Sequence, residues 1–298
     1  MYRILLFFFS LLLLAGCQQL LPTEQSKNET PKLTKDTLLE GPIKFLVLGV
    51  DYREDDAGRA DGIMVVEYSA DKKSLKIISI MRDSYVKIPG YEHEFNKINH
   101  AYYIGGEKLL KETIQENFHL AIDHTITVDF QGFVNIVDTI VPDGITVDLK
   151  QDLIDDMKLN RVAGINTLHG EELLKYVRFR HDAYSDFGRV ERQQDILLQL
   201  VDEMKNKVNS ITDFVRVPRI TEEIIRHVNT DLSMNDMLVL LSSVYSTPIE
   251  TIETMKIPIQ DGFTNNRYPH AGEVLELDFQ KNLEVIDSFF DFSTPVNK

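Results

Sequence analysis

Apolar runs of strand length and amphipathic stretches of helix length alternate along most of this chain. Apolar or alternating runs predict strands, and apolar positions repeating every three or four residues predict helices. Strands are predicted at residues 43–50, 62–68, 75–81, 125–128, 145–149 and 253–259, with a turn at 70–73. Helices are predicted at 98–118 with a break at Gly105-Gly106, and at 130–141, 170–177, 190–208 and 233–244, with a strand and then a helix within 273–290. Because strands and helices alternate without a repeat, the pattern predicts one layered α/β domain with a mixed sheet.

Residues 1–16 have the pattern of a bacterial secretory leader. Arg3 precedes an apolar run at residues 4–14, which is shorter than the roughly 20 residues that span a bilayer and matches a signal-peptide core. The run ends in Leu14-Ala15-Gly16-Cys17, which resembles a lipobox, so we predict lipidation of Cys17. The alternative is a chance apolar leader followed by an unmodified cysteine.

The polar stretch at residues 17–41 contains Pro22 and Pro31, which predicts a flexible tether ahead of a catalytic domain at 42–298. Acyl chains contribute roughly 0.8 kcal/mol per buried CH₂, so two or three chains hold a protein on a membrane. We therefore expect an extracytoplasmic protein, lipid-anchored to the outer face of the cytoplasmic membrane, as in a Gram-positive bacterium.

The charge balance excludes one broad class of partner. The 298 residues include 32 Lys and Arg against 47 Asp and Glu, for a net charge of −15. Nucleic-acid binders need a basic surface to neutralise phosphates, so no nucleic-acid partner is expected. The single cysteine excludes an intrachain disulfide. The sequence also lacks a GxSxG, a P-loop and an HExxH motif.

Within this acidic chain, one short segment is rich in arginine. Residues 178–193 contain Arg178, Arg180, Arg189 and Arg192, with Asp186 between the two pairs. Arg178 and Arg180 alternate as in a strand or an extended loop, whereas Arg189 and Arg192 share one face of a predicted helix start, beside Gln193. Arginine presents a planar fork of donors that fits phosphate oxygens, so the segment predicts half of a phosphate site.

The other half is predicted at strand ends upstream. Asp51 follows the first predicted strand, and Asp61 begins the second, after Arg59. If these strands are antiparallel neighbours, the two carboxylates meet at one edge and suit Mg²⁺, which takes a few carboxylates together with phosphate oxygens and water. Arg82 ends the third strand, and Lys97 begins the next helix. Surface ion pairing is the alternative for these charges, and it is the preferred interpretation for the acids at residues 54–56.

Seven stretches, in order, resemble the LytR-CpsA-Psr family of cell-wall assembly enzymes. They are FLVLGVD, GRADGIMVV, ISIMRDSYV, KINHAYYIGG, GITVDL, LHGEELLKYVRFRHD and DFGRVERQQDIL, within residues 45–205. The resemblance implies a three-layer α/β/α sandwich that holds a polyprenyl pyrophosphate. It implies an enzyme, a Mg²⁺-dependent phosphotransferase, that moves an anionic glycopolymer such as teichoic acid from this carrier to peptidoglycan. The implied partners are the polyprenyl-pyrophosphate-linked glycan and the peptidoglycan acceptor.

The resemblance also assigns roles to individual residues. It places Asp51 and Asp61 at the metal, and it implies catalytic candidates at Arg82, Asp61 and Asp186. The residues that match the pyrophosphate-binding positions are Arg59, Arg82, Lys97, Arg178, Arg180, Arg189 and Gln193. The general base stays open among Asp83, Asp186 and His181.

The chain departs from the family pattern in three places. Ala60-Asp61-Gly62 stands where the family usually has Ser-Asp-Thr, which removes two hydroxyls near the metal. Met81 replaces the usual proline before Arg-Asp, and a lipobox replaces the usual transmembrane helix. Two alternative functions stay open. One is hydrolysis of the lipid pyrophosphate by the same site, and the other is a non-catalytic envelope regulator that binds polyprenyl phosphate.

Overall fold

The computed structural model describes residues 40–52, 58–179, 185–208 and 224–290. The strands are β1 (Ile43–Asp51), β2 (Arg59–Ser69), β3 (Ser74–Ile80), β4 (Ser84–Lys87), β5 (Phe95–Lys97), β6 (His124–Asp129), β7 (Ile145–Leu149), β8 (Gly164–Leu168), β9 (Asn229–Thr230), β10 (Thr251–Ile257), β11 (Phe263–Tyr268) and β12 (Gly272–Leu277). The helices are α1 (Ile98–Phe118), α2 (Phe130–Ile140), α3 (Gln151–Met157), α4 (Gly170–Arg178), α5 (Ser185–Val208), α6 (Met234–Ser246) and α7 (Phe279–Phe290).

The main sheet has six strands in the order β10-β3-β2-β1-β6-β9. β1 pairs antiparallel with β2 and parallel with β6, while β3 pairs antiparallel with β2 and parallel with β10. The sheet is therefore mixed, as predicted. A second sheet has the order β11-β12-β4-β5, and β7 and β8 form a separate hairpin.

The central strand β1 is apolar on both faces because helices cover both sides of the sheet. Leu46, Leu48 and Val50 pack into one core cluster with buried residues of α1 and α7. Ile43 and Phe45 alternate to the opposite face and pack against apolar residues of α6. Strands buried on both faces carry such continuous apolar runs. The three-layer α/β/α arrangement is confirmed.

A third cluster packs α2, α4 and α5 against the β7–β8 hairpin, with Val137, Leu173 and Ile196 among its buried residues. Gln194 on α5 donates to Ser79 Oγ at 2.9 Å and to Met255 O at 3.1 Å, which ties this helix to the main sheet. This second core fixes the start of α5 beside the ends of the sheet strands.

Most predicted elements are present, with shifted ends. The predicted break in α1 is confirmed at Gly106, whose φ of 62° and ψ of −155° are not helical. Lys97 ends β5 and occupies the N-cap position of α1, one residue before the helix begins, and its side chain makes no capping hydrogen bond. The prediction of an extended conformation for Arg178 is wrong, because this residue is the last of α4. The predicted helix at 190–208 begins earlier, at Ser185.

Several short elements were not predicted, namely β4, β5, α3, β8, β9 and β11. The sequence of β11, FTNNRY, has four exposed positions in succession and no apolar alternation. Its strand conformation depends on antiparallel pairing with β12, and the local sequence gives no signal of that pairing.

The predicted leader, the lipidated Cys17, nearly all of the tether, the acids at 54–56, Arg180 and His181 lie outside the described residues. In the part of the chain that the structure describes, we find no helix with the length and apolarity needed to cross a membrane.

Candidate functional site at the edge of the central sheet

A β-bulge places Asp61 at the edge of the sheet. Gly49 pairs with Gly62 and Val50 pairs with Ala60, so Asp61 is the extra residue on β2 at this point. An extra residue in one strand bends that strand and changes the direction of its side chain. Asp51 pairs with Arg59 at the end of the same ladder. The antiparallel pairing of the two strands, on which the predicted site depends, is confirmed.

Four charged side chains form a connected series beside this bulge. Arg82, which follows β3, donates from Nη1 to Asp61 Oδ1. Arg82 Nε lies 3.7 Å from Asp83 Oδ2, and Lys97 Nζ lies 2.8 Å from Asp83 Oδ1. All four side chains are between 18 % and 25 % exposed. They therefore remain open to a ligand while being partly shielded from water.

Arg82 stays protonated throughout the physiological range. Burial lowers its pKa, but the charges of Asp61 and Asp83 and the hydrogen bond with Asp61 outweigh that effect and raise the pKa. Asp186 contributes in the same direction, which places the start of α5 within electrostatic reach of Arg82. The predicted arginine segment and the predicted strand-end charges therefore belong to one site.

Asp186 and Arg189 form a buried ion pair on the first turns of α5. Arg189 Nη2 lies 2.9 Å from Asp186 Oδ1 and 3.0 Å from Oδ2. Arg189 is 2 % exposed and Asp186 is 8 % exposed. A buried arginine is costly unless it is paired, and this pairing holds its guanidinium in one orientation.

Arg192 and Gln193 connect the next turn of α5 to the end of α4. Arg192 donates from Nη2 to Phe179 O at 2.5 Å and from Nε to Tyr176 O at 3.2 Å. Gln193 Nε2 donates to Val177 O at 3.2 Å. The last carbonyls of a helix lack intrahelical partners, so these donors stabilise the α4–α5 junction. The predicted pyrophosphate contact of Gln193 competes with this hydrogen bond.

Arg178 lies beside Asp51 at the end of β1. Its Nη2 is 3.8 Å from Asp51 Oδ2, and its guanidinium lies 3.8 Å from the centre of the Phe130 ring. The Arg178 side chain is 48 % exposed, whereas that of Asp51 is 12 % exposed. Stacking on an aromatic face orients the fork of Arg178 without removing it from solvent.

Tyr52 and a polar cavity extend the site beyond the predicted residues. Tyr52 Oη and Tyr102 Oη lie 2.9 Å apart. Burial and this hydrogen bond raise the pKa of the Tyr102 phenol. Next to Tyr52 is a cavity of about 260 Å³. The polar residues Thr127, Asp129 and His227 also line it. The sequence signal that could have identified Tyr102 as a site residue is its place in the KINHAYYIGG motif, three residues after Asn99.

The structure therefore brings most of the predicted residues to one edge, although it does not test their roles. The described residues that converge are Asp51, Arg59, Asp61, Arg82, Lys97, Arg178, Asp186, Arg189 and Gln193. Asp83 was considered only as a base, yet it connects Arg82 to Lys97. Two adjacent residues of opposite charge at a strand end are the signal that indicates this connection.

The model of the LytR_cpsA_psr family matches residues 16–284 of this chain. The chain belongs to the LytR-CpsA-Psr family. A relative from Staphylococcus aureus, "Regulatory protein MsrR", is 33 % identical over 252 residues, which cover 85 % of this chain and 75 % of MsrR. A Bacillus licheniformis relative, "Polyisoprenyl-teichoic acid--peptidoglycan teichoic acid transferase TagU", is 33 % identical over 198 residues, covering 66 % of this chain and 62 % of TagU.

Solved structures agree with this family membership. TagT bound to LIIa-WTA has a TM-score of 0.67 at 26 % identity, covering 89 % of this chain and 95 % of TagT. The LytR-CPS2A-psr family protein YwtF (TagT) with bound octaprenyl pyrophosphate lipid has a TM-score of 0.62 at 25 % identity, covering 90 % and 96 %. The fold is therefore that of the LytR-CpsA-Psr family.

Two features of this family member bear on the expected magnesium. Among the described residues, no group of three or more His, Cys, Asp and Glu side chains is placed to hold a metal ion. Asp51 and Asp61 nevertheless lie on paired strands at one edge. Two carboxylates fit Mg²⁺, which takes one or two from a protein and completes its shell with phosphate and water.

The glycine after Asp61 is not required by steric crowding. A Cβ on Gly62 would lie 3.6 Å from Gly49 N and 3.8 Å from Gln193 Oε1, which are ordinary contacts. A larger side chain at Gly62 would therefore fit beside the bulge.

Proposed function

We propose that this LytR-CpsA-Psr protein is a phosphotransferase that moves an anionic glycopolymer from a polyprenyl-pyrophosphate carrier to peptidoglycan. The observation that carries the proposal is the charged edge where Asp61, Arg82, Asp83 and Lys97 form one connected series. It is supported by the relative named as a teichoic acid transferase and by the structural neighbour with octaprenyl pyrophosphate.

The arginines and the lysine would bind the non-bridging oxygens of the pyrophosphate. Arg82 contacts Asp61 on β2 and Arg178 contacts Asp51 on the paired strand β1, so the phosphates would lie near both. Each cation already contacts a carboxylate, which keeps it oriented before the substrate arrives. Phosphoryl transfer depends mainly on such positioning and on neutralisation of charge.

In the reaction, a hydroxyl oxygen of the acceptor sugar attacks the phosphorus that carries the glycan. A new phosphorus–oxygen bond forms, the bond to the bridging oxygen breaks, and polyprenyl phosphate leaves. Arg82 and Arg178 would stabilise charge on the oxygens around that phosphorus. Asp83 and Asp186 are the candidate acceptors of the hydroxyl proton. Asp83, with 18 % of its side chain exposed, is more accessible than Asp186, with 11 %.

We assign the expected magnesium to Asp51 and Asp61. Asp51 and Asp61 would hold the ion, which when bound would neutralise phosphate charge.

Attachment to the membrane through Cys17 is part of the same proposal, because the carrier lipid lies in the membrane. Metabolic labelling with a fatty acid should label the wild type and leave Cys17→Ala unlabelled. Labelling of both proteins would contradict the assignment of a lipoprotein.

A second candidate function is regulation without catalysis. It is favoured by the relative named as a regulatory protein and by the missing hydroxyls at Ala60 and Gly62. Hydrolysis of the carrier by the same groups is a third outcome, in which water replaces the sugar hydroxyl.

Reconstitution with lipid-linked glycan and peptidoglycan separates these functions. Transfer to peptidoglycan supports the proposal, release of free glycan in the presence of acceptor supports hydrolysis, and tight lipid binding without turnover supports regulation. Arg82→Ala and Asp61→Ala should abolish transfer. Arg161→Gln is the matched control, because Arg161 makes an ion pair with Glu172 at 2.6 Å on the β7–β8 side of the molecule.

A further inference from the structure

A row of aromatic and imidazole rings runs beside the second sheet, outside the charged edge. Tyr268 stacks on Tyr85 with centroids 4.5 Å apart and planes 11° apart. His270 lies 5.9 Å from Tyr268 and stacks on His93 at 4.7 Å. Tyr91 follows at 5.5 Å from His93. Residues from β11, from the β11–β12 turn and from the β4–β5 connection therefore meet in one continuous row.

The row continues onto α1 and ends at the charged edge. His100 lies 5.1 Å from Tyr91, and Tyr103 stacks on His100 at 5.7 Å. The guanidinium of Arg59 lies 5.8 Å from the centre of the Tyr103 ring. We call Tyr268, His270, His93, Tyr91, His100 and Tyr103 the aromatic row. It provides a path of ring contacts from the second sheet to Arg59.

The aromatic row is accessible to large ligands. The His93 side chain is 47 % exposed, and Tyr103 is 38 % exposed. His270 is also exposed. Tyr91 packs against the main core cluster, but core burial does not explain the exposed rings of His93, Tyr103 and His270. Flat rings with polar edges suit sugars, whose C–H faces pack on the negative face of an aromatic ring while their hydroxyls form hydrogen bonds.

The charges around the aromatic row favour an uncharged glycan over an anionic one. Glu92 and Glu94 flank His93 with side chains that are 80 % and 63 % exposed. Glu276 accepts hydrogen bonds from Tyr268 and Asn266. Lys87 Nζ lies 3.6 Å from Glu94 and offsets its charge. Glu92 and Glu276 therefore supply the negative charge that repels a polyanion and favours an uncharged sugar chain.

His100 adds no positive charge to the row at neutral pH. Burial, Arg59 and His270 together lower the pKa of His100 below its ordinary value of 6.5. The His100 imidazole is therefore neutral at pH 7.

We propose that the aromatic row binds the uncharged glycan strand of the acceptor and leads its hydroxyl groups towards Arg59 at the charged edge. This inference deepens the proposed function, on which it rests, by separating the acceptor surface from the pyrophosphate site. The anionic donor glycan would then approach from another side.

Direct binding tests the row without any turnover. The probe is a β-1,4-linked N-acetylglucosamine tetramer, added to the full chain and followed by nuclear magnetic resonance or calorimetry. His93→Ser should weaken binding by about three- to tenfold, the range of one aromatic contact. His93→Phe keeps a flat ring and should retain binding. His119→Asn is the control, because His119 is an exposed histidine at the end of α1 with φ of 59°, outside the row.

Kinetics provide the second measurement. His93→Ser should raise the KM for peptidoglycan fragments and leave the affinity for polyprenyl pyrophosphate unchanged. The inference is overturned if His93→Ser binds the tetramer as tightly as wild type, or if poly(glycerol phosphate) displaces the tetramer at equal concentration. Row-dependent binding by a protein that transfers no glycan would uphold the row and reject the proposed function. Glycan transfer by a protein that does not bind the tetramer would uphold the proposed function and reject the role of the row.

Discussion

Replacing Arg82 by glutamine is the sharpest test of the charged edge. Glutamine keeps a polar group near the position of the arginine Nε and removes the guanidinium that contacts Asp61 and Asp83. The backbone contact of this loop, Asn99 N to Arg82 O at 3.3 Å, does not depend on the side chain. The substitution therefore removes one charged group with little change to the loop.

The structure sets the expected effect on stability. The Arg82 side chain is 18 % exposed and that of Asp61 is 25 % exposed, so the pair lies between a surface and a buried ion pair. Surface pairs contribute at most about 1 kcal/mol, and breaking a buried pair costs about 3–5 kcal/mol. Asp83 keeps Lys97 at 2.8 Å, which limits the loss. We expect Arg82→Gln to lower the free energy of unfolding by about 1–2 kcal/mol.

The expected effect on activity is larger. Removing one donor that stabilises developing charge lowers kcat by about 10²–10³. A transfer assay with lipid-linked glycan, run below the unfolding transition of each variant, measures this loss. Urea unfolding of Arg82→Gln, Asp61→Asn and the double variant should show a coupling of about 1 kcal/mol between the two side chains.

Two results would refute this reasoning. Transfer by Arg82→Gln within tenfold of wild type would show that its guanidinium does not stabilise the reacting phosphate. An equal loss in Arg161→Gln, which breaks only the exposed pair with Glu172, would show that the assay reports general destabilisation.

Three further perturbations follow from local geometry. Gly62→Ala should raise the free energy of unfolding by about 0.5–1 kcal/mol, since the site has room for a Cβ; a lower urea midpoint would contradict this. Because the pKa of His100 is lowered in the folded state, the unfolded chain binds more protons below about pH 6.5, and stability falls as the pH falls. His100→Gln should lose less stability between pH 7 and 5, and an unchanged slope in urea unfolding would contradict this. Chelation of Mg²⁺ should weaken pyrophosphate binding in calorimetry, and Asp51→Asn should remove that dependence.

The strands and helices that form the core followed from the sequence because their signals are local. The residues of β1 alternate between two covered faces, and the glycine pair in α1 breaks the helix where it was predicted. The short strand β11 was not predicted, because its polar residues become a strand only by pairing with β12.

The candidate site also has features that the sequence predicted and features that only the fold decided. Charge at strand ends and the arginine segment identified nearly all of its residue types from sequence alone, and seven ordered motifs identified the family. Only the tertiary structure decided which charges meet. The bulge sets the direction of the Asp61 side chain, and Arg192 donates to a carbonyl at the end of α4. Asp83 connects Arg82 to Lys97. These contacts join residues from separate elements, and the folded backbone sets their distances. The same is true of the aromatic row, whose six rings come from three separate segments of the chain.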